Sequence, residues 1–328
     1  MKSDLSPTSI QHMARAFSRS RVLLTAVELD LFTVLADRSL SAEEAADRLK
    51  SDLRATTILL DALAAMELLE KTTGRYRTTQ ALVPILTTRG EESILSSLMH
   101  SAYLWKTWSQ LTDVVQGGGP AHRPETGWNH RMASFIGAMH VRALRDAPAL
   151  VRAVNPGKAR NLIDVGGGSG SYTIGFLKAS PGMKATLFDL PEVIPMARER
   201  LSAGGFLDRV ALVGGDYNTD SLPGGHDLAL LSAVIHQNSH EHNMKIYRKI
   251  HDALITGGRI IIRDYVMNPD RTEPASGALF AVNMLVNTKG GNSYTFDEIR
   301  EGLEEAGFQR IKLLQNDEMS SLVEGYKP

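Results

Sequence analysis

Residues 162–172 read LIDVGGGSGSY, and no other stretch restricts the fold of this chain so tightly. An apolar run ends in Asp164–Val165, Gly166, Gly168 and Gly170 follow at alternate positions, and a helical pattern covers 172–179. Glycine takes up a positive φ without steric cost, and bare backbone lets N–H groups approach a ligand at the carboxyl edge of a strand. The order strand, tight turn, helix is the opening unit of a layered α/β sheet. Later segments continue it. ATLFDL (185–190), RVALVGGD (209–216), DLALLSAVI (227–235) and GRIIIRDYV (258–266) read as strands, with helices expected over 192–203 and 241–254. Apolar strands alternating with helices predict a parallel sheet covered on both faces.

The glycine spacing narrows the ligand. A dinucleotide loop of type G-x-G-x-x-G needs glycine at position 171, where Ser171 stands. The tighter G-x-G-x-G spacing suits a nucleoside without a pyrophosphate, and S-adenosylmethionine (SAM) is one. Three supports follow in order. Asp189 ends the second strand in FDLPEV, where a carboxylate accepts hydrogen bonds from both ribose hydroxyls. Asp216 lies in GGDY after the third strand, placed to receive an adenine amino group, with Tyr217 to cover the ring. Ser232 stands near the end of the fourth strand. Singly, Asp189 or Asp216 serves as readily as a helix cap or turn residue; as an ordered series with the glycine loop they point to one site.

The first third is helical. Apolar residues recur at helical spacing over 10–35, with a break expected near Leu29–Asp30, and Ser41 with Glu44 forms a capping box before AEEAADRLK. A helix expected over 55–71 leads into TGRYRTT, where Gly74 turns a two-stranded wing. Helices and a wing spell a winged-helix module, for which DNA reading is the familiar role. The helix that would enter a groove carries Ile58, Leu59, Leu60, Leu63, Met66 and Leu68 and almost no Arg, Lys or Asn, which favours protein contact over nucleic acid. Overall charge agrees: 36 Lys plus Arg against 37 Asp plus Glu exert no general pull on nucleic acid or anionic lipid. The absence of cysteine removes disulfides, thiolate metal sites and a Cys nucleophile. No apolar run approaches the ~18–20 residues that span a bilayer, so a soluble, cytoplasmic protein is expected.

Between these regions, SILSSLMHSAYLWKTWSQLTDVV and HRMASFIGAMHVRALRDAPALVRAV read as helices around the loop QGGGPAHRPETGWN. They serve as a scaffold, as a lid whose Met132, Phe135, Met139 and His140 line a substrate pocket, or as both. The expected organisation is 1–92 for the winged module, 93–155 for the helical linker and lid, and 156–328 for the nucleoside-binding domain.

This ordered series resembles the two-domain, SAM-dependent small-molecule O-methyltransferases of the caffeate and hydroxyindole type. The resemblance runs from LDLFTVLADRSLSAEEAADRL and LLDALAAMELLEKTTGRYRTT through IDVGGGSGSY, FDLPEV and GGDY to GGRIIIRDYV and TFDEIREGLEEAGF, nearly the whole chain. It implies a Rossmann-like methyltransferase domain behind a winged-helix dimerisation domain, and a homodimer built through the latter. It also implies SAM contacts at Gly166, Gly167, Gly168, Asp189, Leu190, Asp216, Tyr217 and Ser232. In that family a histidine follows the fourth strand in a stretch of type L-H-D-W-S-D-E. The matching stretch here is Ile235-His236-Gln237-Asn238-Ser239-His240-Glu241.

His236 is therefore the expected general base, at the edge of the sheet where ligands bind. Methyl transfer is an in-line displacement, and alignment is worth up to ~7–11 kcal/mol in favourable cases. A phenol or enol also needs its proton removed, and an imidazole, which titrates near neutrality, typically contributes ~10²–10⁴-fold. Two departures from the family stand out. Gln237-Asn238 replaces an Asp-Trp pair, and of two acids that flank the histidine in plant enzymes, Asp264 matches the first while Asn292 or Ser293 falls at the second. His236 and His240, four apart, with His242 nearby, invite a metal reading; the family needs none, and no metal is expected. The stretch 274–299 is expected to close the pocket, with Phe280, Met284 and Leu285 as apolar wall and Asn283 bonding a substrate oxygen. Transfer to nitrogen, carbon or sulfur, a non-methylating use of SAM, and a ligand-responsive DNA-binding regulator remain the competing functions.

Overall fold

The computed structural model describes residues 5–90, 92–122 and 128–328, so part of the loop expected over 116–129 lies outside the described residues. The chain divides into two compact units, Met1–Lys106 with Gly127–Ala138 and Thr107–Thr126 with Met139–Pro328.

The first unit opens with α1 (Pro7–Arg15), α2 (Phe17–Glu28) and α3 (Leu31–Val34). Asp30, at φ 50°, makes the break foreseen there. After β1 (Leu40–Ser41), α4 (Ala42–Leu49) starts at the expected capping box: Ser41 Oγ accepts from the Glu44 N–H and the Glu44 carboxylate from the Ser41 N–H. Next comes α5 (Leu53–Ala65), which ends well short of residue 71. Glu67 turns left-handed at φ 62° and the Leu68 N–H closes onto the Leu63 carbonyl, a helix stop that ordinarily uses glycine. The released segment forms β2 (Leu69–Thr72), a hairpin partner of β3 (Arg75–Thr78), while β1 pairs with the other edge of β3. Leu31, Phe32, Leu35, Leu60, Leu63 and Tyr76 fill the small core between helices and hairpin. Then follow α6 (Val83–Leu86), α7 (Leu95–Trp108), α8 (Leu111–Gly117) and the long α9 (Trp128–Val154). Helices α7 and α9 each contribute residues to both units.

In the second unit, β4 (Asn161–Val165), α10 (Ser171–Ala179), β5 (Lys184–Asp189), α11 (Ile194–Ala203) and β6 (Val210–Gly214) alternate as foreseen. Next come β7 (His226–Ser232), α12 (His240–Ala253), β8 (Leu254–Asp264) and the short β9 (Val266–Met267). After them stand α13 (Ala275–Asn287), β10 (Tyr294–Thr295), α14 (Phe296–Glu305), β11 (Gln309–Gln315) and β12 (Ser321–Tyr326).

The main sheet runs β11-β12-β8-β7-β4-β5-β6. Five strands from β8 to β6 are parallel, but β12 lies antiparallel to both β8 and β11. The sheet is thus mixed rather than wholly parallel. Strand alternation sends Ile163, Val165, Ala229 and Leu231 to one face, against Ile246 and Ile250 of α12 and Ile299 and Leu303 of α14. Leu162, Leu187, Leu228 and Leu230 face the other way, against Phe176 of α10, Leu201 of α11 and Val151 of α9. Burying each such side chain contributes about 1.5–3 kcal/mol, which commits the strands to one register. Strand β7 stops earlier than its apolar run, because Ala233 adopts φ 58°.

Candidate active site

The loop after β4 uses its glycines as the sequence requires. Gly166, Gly168 and Gly170 all have positive φ, and a Cβ at Gly167 would stand 2.7 Å from Leu187 and 3.0 Å from the Asp164 carboxyl. Asp164 lies beneath this loop, fully buried, and accepts the Thr173 hydroxyl at 2.6 Å. Burial pushes its carboxyl up to about 6. Because the folded value is raised, the stability involved is fully present below the ordinary value of 3.8 and is lost as pH rises through about 6. The loss is about 3 kcal/mol at ~1.4 kcal/mol per pH unit. Asp164→Asn should therefore flatten the pH dependence of urea-unfolding free energy across that window, and a slope equal to wild type would contradict this account.

Asp189 ends β5 and staples the loop to it. Its carboxylate accepts the Gly168 N–H and the Leu190 N–H, both at 2.7 Å. Burial holds this carboxyl above its usual range, against those two bonds. Asp216, after β6, accepts the Asn218 N–H at 2.8 Å. Neighbouring Tyr217 turns its ring toward Gly166, and burial, then the charges of Asp189 and Asp216, push the phenol up to about 12. Ser232, the last residue of β7, has a buried hydroxyl with no hydrogen-bond partner among the described residues. The glycine loop, Asp189, Leu190, Asp216, Tyr217 and Ser232 thus stand along the carboxyl edges of four adjacent strands, β7-β4-β5-β6.

His236 follows β7 on a single turn of 3-10 helix over Ile235–Gln237. The positive φ of Ala233 redirects the chain, and the Ala233 N–H still bonds the Arg263 carbonyl of β8 at 2.8 Å. This sets His236 beside Asp264, the end of β8, with Nδ1 2.8 Å from each carboxylate oxygen. The pair is buried, at 6% and 1% exposure. A carboxylate accepts, so the geometry assigns the hydrogen to Nδ1, which in a neutral imidazole leaves the lone pair on Nε2. Phe280 of α13 meets the imidazole edge-on at 4.8 Å between centroids. Where the resemblance sets the second acid, Asn292 and Ser293 stand instead. Asn292 reaches His236 through its backbone, its N–H donating to the His236 carbonyl at 2.9 Å. A Cβ on the adjacent Gly291 would approach that carbonyl to 2.3 Å, so the segment after α13 closes tightly on the histidine's backbone.

Asn283 lies one turn along α13 from Phe280, on the same face. Its Oδ1 accepts the Trp108 indole N–H at 2.8 Å and the Asn287 amide at 2.9 Å. An indole nitrogen can only donate, which fixes the amide's orientation: the oxygen is engaged and the NH₂ is left over. Met284 is buried at 6% exposure, whereas Leu285 is 40% exposed and forms no wall among the described residues. On α9, Met139 and His140 belong to the second unit, and His140 Nδ1 bonds Ser171 at 2.7 Å. Met132 and Phe135 belong to the first unit, where Phe135 meets His100 edge-on. The three histidines diverge: His242 Nδ1 pairs with the capping Ser239, and His240 tilts against Tyr294. Trp108, Ser169 and Ser171 carried no signal of their own in the sequence, since their partners lie far along the chain.

Residues 11–82 match the O-methyltransferase dimerisation domain, and residues 128–309 the O-methyltransferase domain. The 3-hydroxy-5-methyl-1-naphthoate 3-O-methyltransferase of Streptomyces sahachiroi is 32% identical over 94% of this chain and 91% of its own. The N,N-dimethyltransferase OxyT of Streptomyces rimosus is 31% identical over 92% and 90%. Among solved structures, PigF with SAH superposes at a TM-score of 0.87, with 27% identity and coverage of 98% of this chain and 100% of that one. Sequence order, fold and comparisons converge, and the chain belongs to the O-methyltransferase family.

Proposed function

We propose that the protein moves the methyl group of SAM to a hydroxyl of a flat, largely apolar small molecule, with His236 as general base. The observation that carries this reading is the buried His236–Asp264 pair at 2.8 Å, which leaves Nε2 as a proton acceptor at the carboxyl edge of the sheet. The residues present fit SAM. Gly166, Gly167 and Gly168 offer bare backbone, Asp189 and Leu190 would hold the ribose side, and Asp216 with Tyr217 the adenine. The unpartnered Ser232 hydroxyl is a polar group awaiting a ligand. When bound, SAM supplies a methyl carbon activated by its sulfonium. His236 takes the acceptor's proton at Nε2, while Asp264 holds the ring's tautomer and stabilises the imidazolium that results.

Asn283 refines the acceptor. Its free amide donates only, so the acceptor carries a second oxygen able to receive a hydrogen bond, such as a carbonyl or carboxylate. The naphthoate named for the S. sahachiroi relative has a hydroxyl and a carboxylate. Residues 1–92 act as the dimerisation part and 93–155 as linker and lid, with 156–328 binding SAM. Ile10, Met13, Phe17 and Ile58 are each more than half exposed on α1, α2 and α5, which suits a homodimer through this part and not nucleic acid. No helix among the described residues is long and apolar enough to cross a membrane, and a cytoplasmic enzyme is the simplest setting.

OxyT keeps a second reading open, transfer to an amine. Incubation with SAM and either 3-hydroxy-5-methyl-1-naphthoate or its 3-amino analogue separates the two. Release of S-adenosylhomocysteine with methylated naphthol is the expected result; turnover of the amine alone, or of neither compound, would rule out the hydroxyl reading.

A further inference from the structure

Strand β8 carries two arginines on the face turned toward α9, and they grip that helix at two points. Residues 259, 261 and 263 share one face of the strand. Arg259, near the start, donates to the Val154 and Asn155 carbonyls at 3.0 and 2.7 Å, where α9 ends. Ile261 packs in the same core as Leu150 and Val151. Arg263, near the far end, meets the Asp146 carboxylate at 2.7 Å and lies over the Tyr172 ring of α10, 5.2 Å from its centroid. The spacings agree: four steps along the strand span ~13 Å at ~3.3 Å each, and eight steps along the helix from 146 to 154 span ~12 Å at ~1.5 Å each. This part of α9, all of it in the second unit, is thereby fixed antiparallel to β8 in one register.

Stability alone does not call for the second grip. The Arg263 side chain is 2% exposed, whereas that of Asp146 is 27% exposed and also has Arg142 Nε at 3.6 Å. Burying a guanidinium costs solvation that an ion pair scarcely offsets, and apolar side chains of similar volume often serve stability as well or better. The position of residue 263 supplies the reason. Its carbonyl accepts the Ala233 N–H at 2.8 Å, the bond that holds the left-handed turn ahead of His236. The next residue is Asp264, whose carboxylate lies 2.8 Å from His236 Nδ1. One residue thus joins α9, through its side chain, to both supports of the imidazole, through its main chain. We propose that Arg263 is a positioning residue for His236: by tying the end of β8 to Asp146 and Tyr172, it fixes the Ala233 turn and the Asp264 carboxylate that together aim the imidazole.

The inference rests on the general-base reading above, and the pH profile of turnover tests it, with 3-hydroxy-5-methyl-1-naphthoate as acceptor and SAM at saturation. A misplaced base slows only the step that needs a base. Arg263→Met keeps the length of the side chain and removes its charge. Near neutral pH its kcat should fall about tenfold, and the deficit should close to within about twofold as pH rises through the naphthol's own ionisation. The Kd for SAM, measured by calorimetry, should stay within about twofold of wild type. Arg263→Lys restores a point charge without the planar fork and should lose only about threefold. Arg263→Met combined with Asp146→Leu leaves no buried charge without a partner; it should show the same profile, and stands as the test should the single variant misfold. A deficit equal at every pH, or one matched by weaker SAM binding, marks a merely structural arginine and overturns the proposal, as does unimpaired turnover. If His236→Ala is slow and Arg263→Met is not, this inference alone falls. If His236→Ala is itself unimpaired, or wild type leaves the naphthoate unmethylated, the reading above and this inference fall together.

Discussion

His236→Ala should leave the Kd for SAM within a few-fold of wild type while turnover of a phenolic acceptor falls at least ~100-fold. The asymmetry follows from where the imidazole stands. Its Nδ1 is committed to Asp264, and its ring packs against Phe280 rather than against the glycine loop or Asp189. Removing it deletes a proton acceptor and a ring, and leaves every residue assigned to the nucleoside in place. A phenol that keeps its proton is a poor nucleophile, so the lost rate is that of unassisted deprotonation. An acceptor already ionised at the assay pH should recover much of the loss, and raising the pH should narrow the gap between variant and wild type. Single-turnover rates and calorimetry on the same preparation check this. A variant that turns over normally, or one that fails chiefly by losing SAM, would mean that the histidine is structural.

Asp189→Ala should behave in the opposite way, weakening SAM by roughly 10–100-fold while turnover at saturating SAM stays within a few-fold of wild type. The carboxylate accepts from the Gly168 and Leu190 N–H groups at 2.7 Å, and on the proposed reading its remaining lone pairs accept from the ribose hydroxyls. Hydrogen bonds to a charged acceptor are worth about 1.5–3 kcal/mol each, so even one lost bond accounts for the lower end of that range. Asp189→Asn retains one acceptor oxygen and should fall between the two. An unchanged affinity in Asp189→Ala would detach this residue from the cofactor and with it the whole order assigned along the sheet.

What the sequence disclosed and what it withheld divide along physical lines. The βα units, the glycine loop and the capping box at Ser41 were legible because each depends on neighbours a few residues apart. The end of α5 was not, because Glu67 takes a left-handed conformation for which glycine is the usual sign. β11 and β12 went unread: β11 is a mostly exposed, charged strand at the sheet's edge, with no apolar run to flag it. At the site, Asp264 was legible as a candidate from its place in IIIRDY, but its 2.8 Å contact with His236 needs two strands brought side by side. The polarity of Asn283 is set by a tryptophan 175 positions away in sequence, a dependence that no local pattern contains. His140 was grouped with its apolar neighbours on α9, whereas its bonded partners are serines 29 and 31 positions on.

The antiparallel insertion of β12 bears on how the protein comes into being. Ser321 pairs with Asp264, and Leu322 through Tyr326 pair back along β8 to Arg259. A nascent chain synthesised only as far as β8 would present that strand as a raw border, its outer amides and carbonyls open to water and to other chains. Asp264 would then hang from a fraying end rather than an interior strand, and its grip on the imidazole would be loose. The setting of His236 is therefore completed late in synthesis: the ribosome must deliver residues some sixty positions downstream before Asp264 lies in an interior strand.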